Sequence, residues 1–327
     1  MPVASPLLDL PLMGADRDRV EVALLNAVRT RDSHLTEIAS HLIVAGGKRL
    51  RPVLTVAAAQ VGSPVQVSDD VIRGGIACEL VHLGSLYHDD VMDESATRRG
   101  VETVNAKWGN LQAILAGDFL LARASEIAAS LGNEVAGLLA RTIGQLCEGQ
   151  IEELRHTYDP ARSVPSYLSS IDGKTASLFA TSARIGALVS GHDETQVAAL
   201  TAYGTLYGMV FQIVDDILDV IATDDELGKP AGHDMEEGVY TLPVLLTLSR
   251  GDSSADELVS LLGRPLDADE RQRALAIVRS GDGLTSAVET ARSYVQLAQD
   301  ECSRLEECPA TDALRAAPSA LLDGVIR

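Results

Sequence analysis

Apolar positions recur at helical spacing through almost the whole chain. Between 16 and 31, Val20, Leu24 and Ala27 form a stripe that Leu25 and Val28 widen, and 35–44 continues it. Gly46 and Gly47 break the pattern. The Ala- and Val-rich stretch 51–61 carries Pro52, which a first helical turn tolerates, and Gly62, Ser63 and Pro64 end it. Ser68 is a suitable N-cap for a helix that starts at Asp69 and runs through an aspartate-rich segment. Stretches 106–131, 133–156, 164–190 and 193–222 read as further helices, 223–240 reads as a long polar loop, and the remainder as amphipathic helices with solvated charges. No segment alternates as a strand. The pattern predicts an all-α chain.

Composition narrows this. The 327 residues are 46% hydrophobic but only 3% aromatic, so the core is built from Ala, Leu, Val and Ile, which favours helix on helix. No linker or low-complexity tract divides the chain, so residues 1–327 are expected to form one domain, a single large helical bundle. With 47 acidic against 27 basic residues the net charge is −20, which speaks against a nucleic-acid partner. An anionic substrate would then need locally placed cations. Cys78, Cys147, Cys302 and Cys308 lack CxxC spacing and read as reduced, mostly buried thiols of a cytoplasmic protein. The N-terminus lacks the basic region of a signal peptide, and no run is expected to reach the length of a membrane span.

Two stretches carry the candidate chemistry. Asp89, Asp90 and Asp93 lie in YHDDVMDESATRRG, and the same spacing returns 126 residues later as Asp215, Asp216 and Asp219 in FQIVDDILD. On a helix the first and last carboxylate of each motif share one face. A solvated helix face would explain one such motif. Two, each embedded in apolar sequence, are better explained by a hard cation that offsets the cost of burying the carboxylates. Such clamps leave coordination positions of Mg²⁺ to water and phosphate oxygens, so a facing pair describes a site for a diphosphate bridged by metal. Lys48, Arg49 and Arg51 in GGKRLRP suit a metal-free diphosphate; Arg98 and Arg99 follow the first motif. Lys174 and Thr175 in DGKTASLF offer a cation and a hydroxyl, but GxxxxGK[ST] is absent and no strand precedes them, which excludes a nucleotide P-loop.

GGKRLRP, ELVHLGSLYHDDVMDESATRRG, GKT and FQIVDDILD followed by GKPAG, in this order, resemble the trans-polyprenyl diphosphate synthases, the chain-elongating isoprenoid prenyltransferases. The resemblance runs from about Gly46 to Pro243. It implies an isoprenoid-synthase helical bundle around a central metal-lined cavity, a symmetric homodimer, and condensation of isopentenyl diphosphate with an allylic diphosphate. It places Lys48, Arg51, His82 and Arg99 on isopentenyl diphosphate, and Arg98, Lys174, Thr175, Gln212 and Lys229 on the allylic diphosphate, with Lys174, Arg98 and Gln212 closest to the chemistry. The six aspartates then match the surroundings of three Mg²⁺ ions, Asp89, Asp93 and Asp215 as direct ligands and Asp90 and Asp219 as supports. One departure stands out: His233 and Val239 occupy positions where family members often carry lysine, which puts the strength of allylic diphosphate binding in question.

Related chemistries fit less well. Terpene cyclases and head-to-head synthases do not need the GGKRLRP site, and an HD-type phosphohydrolase built on His88 and Asp89 would leave the second motif without a purpose. A non-catalytic partner subunit of a hetero-oligomeric synthase could have lost its carboxylates, and this chain keeps all six. For product length, short-chain members block the tail with an aromatic residue four or five positions before the first motif; here those positions are Ser85 and Gly84. The expectation is an open tunnel past Ser85, Gly84, Val81 and Cys78 with a floor near Phe119, giving a product longer than the geranylgeranyl level.

Overall fold

The computed structural model describes residues 5–63, 65–222 and 231–325, and across them the chain is a bundle of α-helices. After a 3₁₀ turn at Pro6–Asp9, helices α1 (Met13–Ala27), α2 (Ser33–Val44) and α3 (Leu50–Ala59) lead to α4 (Asp69–Met92). The Ser68 hydroxyl caps α4 by accepting from the Val71 N–H, with Asp69 and Asp70 in the first turn, where the helix dipole favours acid. Beyond it come α5 (Val104–Trp108), α6 (Asn110–Ser130), α7 (Asn133–Arg155), α8 (Val164–Ile171), α9 (Ser177–Val189) and α10 (Glu194–Ile221). The C-terminal part adds α11 (His233–Glu236), α12 (Leu242–Leu248), α13 (Ser253–Leu261), α14 (Ala268–Ser280), α15 (Asp282–Cys302) and α16 (Pro309–Asp323).

α4 packs most extensively on α6, α10 on α9 and α15, and α3 on α9. The core falls into two apolar clusters, one including Leu54, Leu80 and Tyr87, the other Tyr240, Leu245 and Leu275. α10 supplies both, Tyr203 and Tyr207 to the first and Ile213 and Val214 to the second. The two aspartate-bearing helices are therefore surrounded on most sides, which explains why their sequences are apolar almost all round.

Several expectations need correction. Thr97–Arg98 and Val101–Glu102 form a two-stranded antiparallel hairpin where no strand was expected. The expected helix 106–131 is divided at Gly109, whose φ of +88° suits glycine. The expected helix 164–190 contains a π turn at Asp172–Ala176. The described part of the expected loop 223–240 contains α11. Cys147 is exposed, whereas Cys78 and Cys302 are buried. Finally, α10 is long and apolar enough to cross a membrane, with mean hydropathy 1.5 over an 18-residue window, contrary to the expectation that no run would be. Its place between the two core clusters accounts for that composition, since a helix buried on most sides must be apolar on most sides.

Candidate active site

The C-terminal half of α4 and that of α10 face one cavity of about 480 Å³, whose walls include Asp89 and Asp215. Arg51, His82, Ser85, Lys174, Thr175 and Gln212 line the same cavity. Residues from four separate stretches of sequence thus converge, and the two aspartate motifs meet across it. Leu86, Leu146, Ile151, Leu154 and Phe211 supply an apolar wall. The lining suits a ligand with a charged head and a hydrocarbon tail.

The carboxylates divide into two groups. Asp89 faces the cavity, and burial pushes its carboxyl above the usual range while Lys174 and Arg98 pull the other way. Asp93 is exposed at the end of α4, and its carboxyl is pushed up to about 6 by loss of solvent around it, then by Glu237 and Asp89. Such crowding of hard, acidic oxygens is what a divalent cation would relieve; among the described residues no three side-chain ligands stand close enough together to hold one ion by themselves, so the carboxylates fit a metal whose remaining positions are filled by phosphate oxygens and water. Asp90, Asp216 and Asp219, by contrast, are buried. Asp90 accepts from Arg98 Nε at 2.5 Å and is not among the cavity-lining residues. Asp216 accepts from Tyr167 Oη through one oxygen and from Gln212 Nε2 at 2.8 Å through the other. Asp219 holds the start of α11, its backbone carbonyl accepting from the Gly232 N–H at 2.8 Å and its Oδ2 from the Asp234 N–H at 3.4 Å.

The basic residues also separate. Arg51 is buried with its guanidinium 4.7 Å from the Phe179 ring centroid, and burial lowers it to about 10, still charged at neutral pH. His82 is held well below its ordinary value by burial and then by Arg51, Arg99, Arg98 and Arg49, so it faces the cavity as a neutral imidazole. Arg99, in a left-handed conformation, donates to the carbonyls of Leu42, at 3.0 Å, and Gly46, which ties the end of the first motif to the GGKRLRP turn. Lys48 is exposed on that turn. Arg49 differs from the charge-based expectation: it is buried and bonded to Glu21 at 2.7 Å, Glu79 at 3.3 Å and the Ile43 carbonyl at 2.8 Å, so it holds the turn from behind. Lys229 lies outside the described residues.

Lys174 sits in the π turn and donates to Glu153 Oε1 at 2.6 Å. Burial opposes its charge, but Glu153, Asp89 and Asp93 outweigh burial and raise the ammonium above its usual range. The turn is pressed against α7 at Gly149, where a Cβ would fall 2.5 Å from the Lys174 backbone nitrogen and 2.6 Å from the Ser170 carbonyl oxygen. Gly149→Ala is therefore expected to destabilise the protein by about 1–3 kcal/mol and to lower turnover by displacing Lys174. Thermal melts and initial rates check this; an alanine variant with unchanged melting and rate would show that the contact is slack.

The expected chain-length residues do not all reach the cavity. Ser85 lines it. Gly84 instead faces α6, where a Cβ would lie 3.1 Å from the Gly117 carbonyl and 3.3 Å from Leu121. Val81 and Cys78 are fully buried, Phe119 is partly buried within the first core cluster, and none of the four is among the cavity-lining residues. The helix supplies the first turn of the expected path, and neighbouring side chains close the rest. Sequence reading also missed Glu153, Gln150 and Tyr167. The pattern Leu146, Gln150, Glu153, Leu154 on α7 was a usable signal, since i, i+3 and i+4 positions share a face.

An all-α bundle in which two aspartate-bearing helices meet across a cavity with fixed cations and an apolar wall defines a diphosphate-handling enzyme of the isoprenoid-synthase class. Known proteins agree with this geometry. Residues 32–278 match the family described as polyprenyl synthetase. A nonaprenyl diphosphate synthase of Mycobacterium tuberculosis is 40% identical over 299 residues, spanning 91% of this chain and 89% of that protein. Heptaprenyl diphosphate synthase component 2 of Geobacillus stearothermophilus is 39% identical over 284 residues, 86% of this chain and 88% of that one. The crystal structure of a polyprenyl synthase from Caulobacter crescentus, complexed with calcium and isoprenyl diphosphate, matches with a TM-score of 0.90 at 33% identity, covering 97% of this chain and 96% of that chain. The chain belongs to the polyprenyl synthetase family and is a trans-prenyltransferase, a polyprenyl diphosphate synthase. Relatives of comparable identity are named for products from geranylgeranyl to nonaprenyl diphosphate, so family membership leaves the length open.

Proposed function

We propose that the enzyme joins isopentenyl diphosphate to an allylic diphosphate by a 1′-4 trans condensation and releases a product longer than C20, in roughly the C30 to C50 range. The observation that carries the chemistry is the placement of Asp89, Asp215, Lys174, Arg51 and His82 on one cavity. Breaking the allylic C–O bond leaves negative charge on pyrophosphate, and Mg²⁺, three ions by family resemblance, would neutralise that charge when bound. Asp89 and Asp215, with Asp93 at the rim, would hold the metal. Lys174, Thr175 and Gln212, with Arg98 and Lys229, would hold the allylic diphosphate. Arg51 and His82, with Lys48 and Arg99, would hold isopentenyl diphosphate, whose alkene attacks the allylic carbon. The C–C bond forms as the C–O bond breaks or after it, and departing pyrophosphate takes the proton then lost.

The test is incubation of the purified protein with Mg²⁺, labelled isopentenyl diphosphate and an allylic starter, with products resolved by length. A principal product of C20 or shorter overturns the length assignment. The two diphosphate positions are separable: Arg51→Ala should raise the KM for isopentenyl diphosphate about tenfold or more, while Lys174→Ala should chiefly lower kcat or weaken the allylic substrate. Equal effects of both variants on both substrates would contradict this division.

We place the enzyme in the cytoplasm as a homodimer. Support for self-association comes from Leu111 (80% exposed) and Leu115 (66%), which share one face of α6 outside the cavity lining. Sedimentation at micromolar concentration checks it. A second reading, a subunit active only with a different partner, is favoured by the name of the Geobacillus relative. Turnover by the purified chain alone decides against that reading.

A further inference from the structure

We propose that Tyr167 is a positioning residue for the metal-diphosphate half of the site, acting through Asp216 and Gln212 on Thr175 beside Lys174. Tyr167 belongs to α8, is 2% exposed and does not line the cavity. Its hydroxyl donates to Asp216 Oδ2, and the other Asp216 oxygen accepts from Gln212 Nε2 at 2.8 Å. Gln212 Oε1 in turn accepts from Thr175 Oγ1 at 2.7 Å. Three hydrogen bonds thus run from the interior to two cavity-lining residues, Gln212 and Thr175.

The order of donors follows from chemistry. Burial and then Asp234 push the Asp216 carboxyl well above its usual range, and the donors on its two oxygens, Tyr167 Oη and Gln212 Nε2, act the other way and favour the carboxylate. With both oxygens accepting, the Gln212 amide presents its NH₂ side to Asp216 and turns Oε1 toward Thr175. The Thr175 proton is then committed to Gln212, so Thr175 offers the site its oxygen lone pairs, which suit a cation, while the second N–H of the Gln212 amide remains for a diphosphate oxygen. Were Asp216 to swing out of contact with Gln212, the amide could present either side and Thr175 take either role. Tyr167 removes that freedom by holding Oδ2. The ring is itself held: the Arg162 guanidinium lies 5.7 Å from its centroid, and Arg162 Nη2 donates to Ser170 Oγ at 2.7 Å. A tyrosine that merely filled the core would need its hydroxyl satisfied, but not by the residue next to Asp215. Outer partners of this kind typically change ligand affinity by about 10- to 100-fold when removed.

The inference rests on assigning the second motif to the metal-bound diphosphate, and binding to the unmodified protein tests that assignment separately. Calorimetry should show wild-type protein binding pyrophosphate in the presence of Mg²⁺, and isopentenyl diphosphate without metal. If wild type bound isopentenyl diphosphate but no Mg²⁺-pyrophosphate, the site assignment itself would fall, and Tyr167 with it. In Tyr167→Phe, Mg²⁺-pyrophosphate affinity and kcat should fall about 10- to 100-fold, with isopentenyl diphosphate affinity within about twofold of wild type. Thr175→Val, at the other end of the chain, should show the same split, Thr175→Ser should restore wild-type behaviour, and the double Tyr167→Phe, Thr175→Val variant should be no worse than the more impaired single variant. Should Tyr167→Phe fail to fold, Gln212→Met, which leaves Tyr167 and Asp216 in contact, enters the same comparison with Thr175→Val. Multiplying effects, equal losses of both ligands, or a lowered melting temperature with unchanged binding would each overturn the positioning role.

Discussion

Asp215→Ala is expected to lower kcat by about a hundred- to a thousandfold, and Asp89→Ala to do the same, while neither variant loses its fold. The two carboxylates stand on facing walls of the cavity and are the members of their motifs that line it. Losing either removes a donor from the position where charge on the leaving pyrophosphate must be neutralised. The fold should survive because these carboxylates are a burden to the metal-free protein. Asp89 is pushed up by burial, and its charge in turn helps to push Asp93 up to about 6. Removing one member relieves that repulsion, so the melting temperature without metal should hold steady or rise. Asp216→Ala should behave differently. It would leave the buried Tyr167 hydroxyl without its acceptor, and such a group costs about 1–3 kcal/mol, so this variant should melt lower. The comparison is made by kcat at saturating Mg²⁺ and thermal melts without metal. Near-normal turnover in Asp89→Ala or Asp215→Ala would remove the metal assignment.

The contrast between these aspartates marks where sequence stops being informative. That both motifs lie on helices and meet was legible, because spacing and apolar context repeat in the same form. Which carboxylates face the cavity depends on what each helix packs against, and Tyr167, 49 residues before Asp216, lies outside any local pattern. Arg49 shows the same limit: beside Lys48 and Arg51 it looks like a third ligand-binding cation, but Glu21 and Glu79, 28 and 30 residues away, draw it inward. The π turn at Asp172–Ala176 was invisible because one widened turn leaves the apolar rhythm of α8 and α9 intact. Its trace in the sequence was Gly149 on another helix, where only glycine permits the approach. The hairpin at Thr97–Glu102 escaped because two residues per strand are too few to alternate.

Product length gives the second large effect. Ser85→Phe is expected to shift products toward about C15 to C20 while leaving the first condensation intact. The cavity wall on α4 runs through His82, Ser85, Leu86 and Asp89, and Ser85 lies four residues before Asp89, about 6 Å along the axis. A growing tail leaves the diphosphate site past that position. One turn further, Val81 is fully buried, so the open path does not continue straight down α4. The remaining apolar wall is Leu146, Ile151 and Leu154 on α7, the last two exposed on the other side of the cavity. A phenylalanine ring at position 85 would project between that wall and Phe211 and stop the tail before it turns. Gly84→Phe supplies the control, because the ring would enter the α4–α6 contact at Gly117 and Leu121 and act through stability. It should lower the melting temperature, whereas Ser85→Phe should shorten the product without doing so. If Ser85→Phe left the product spectrum unchanged at normal activity, the tail would have to run along a wall that Ser85 does not border.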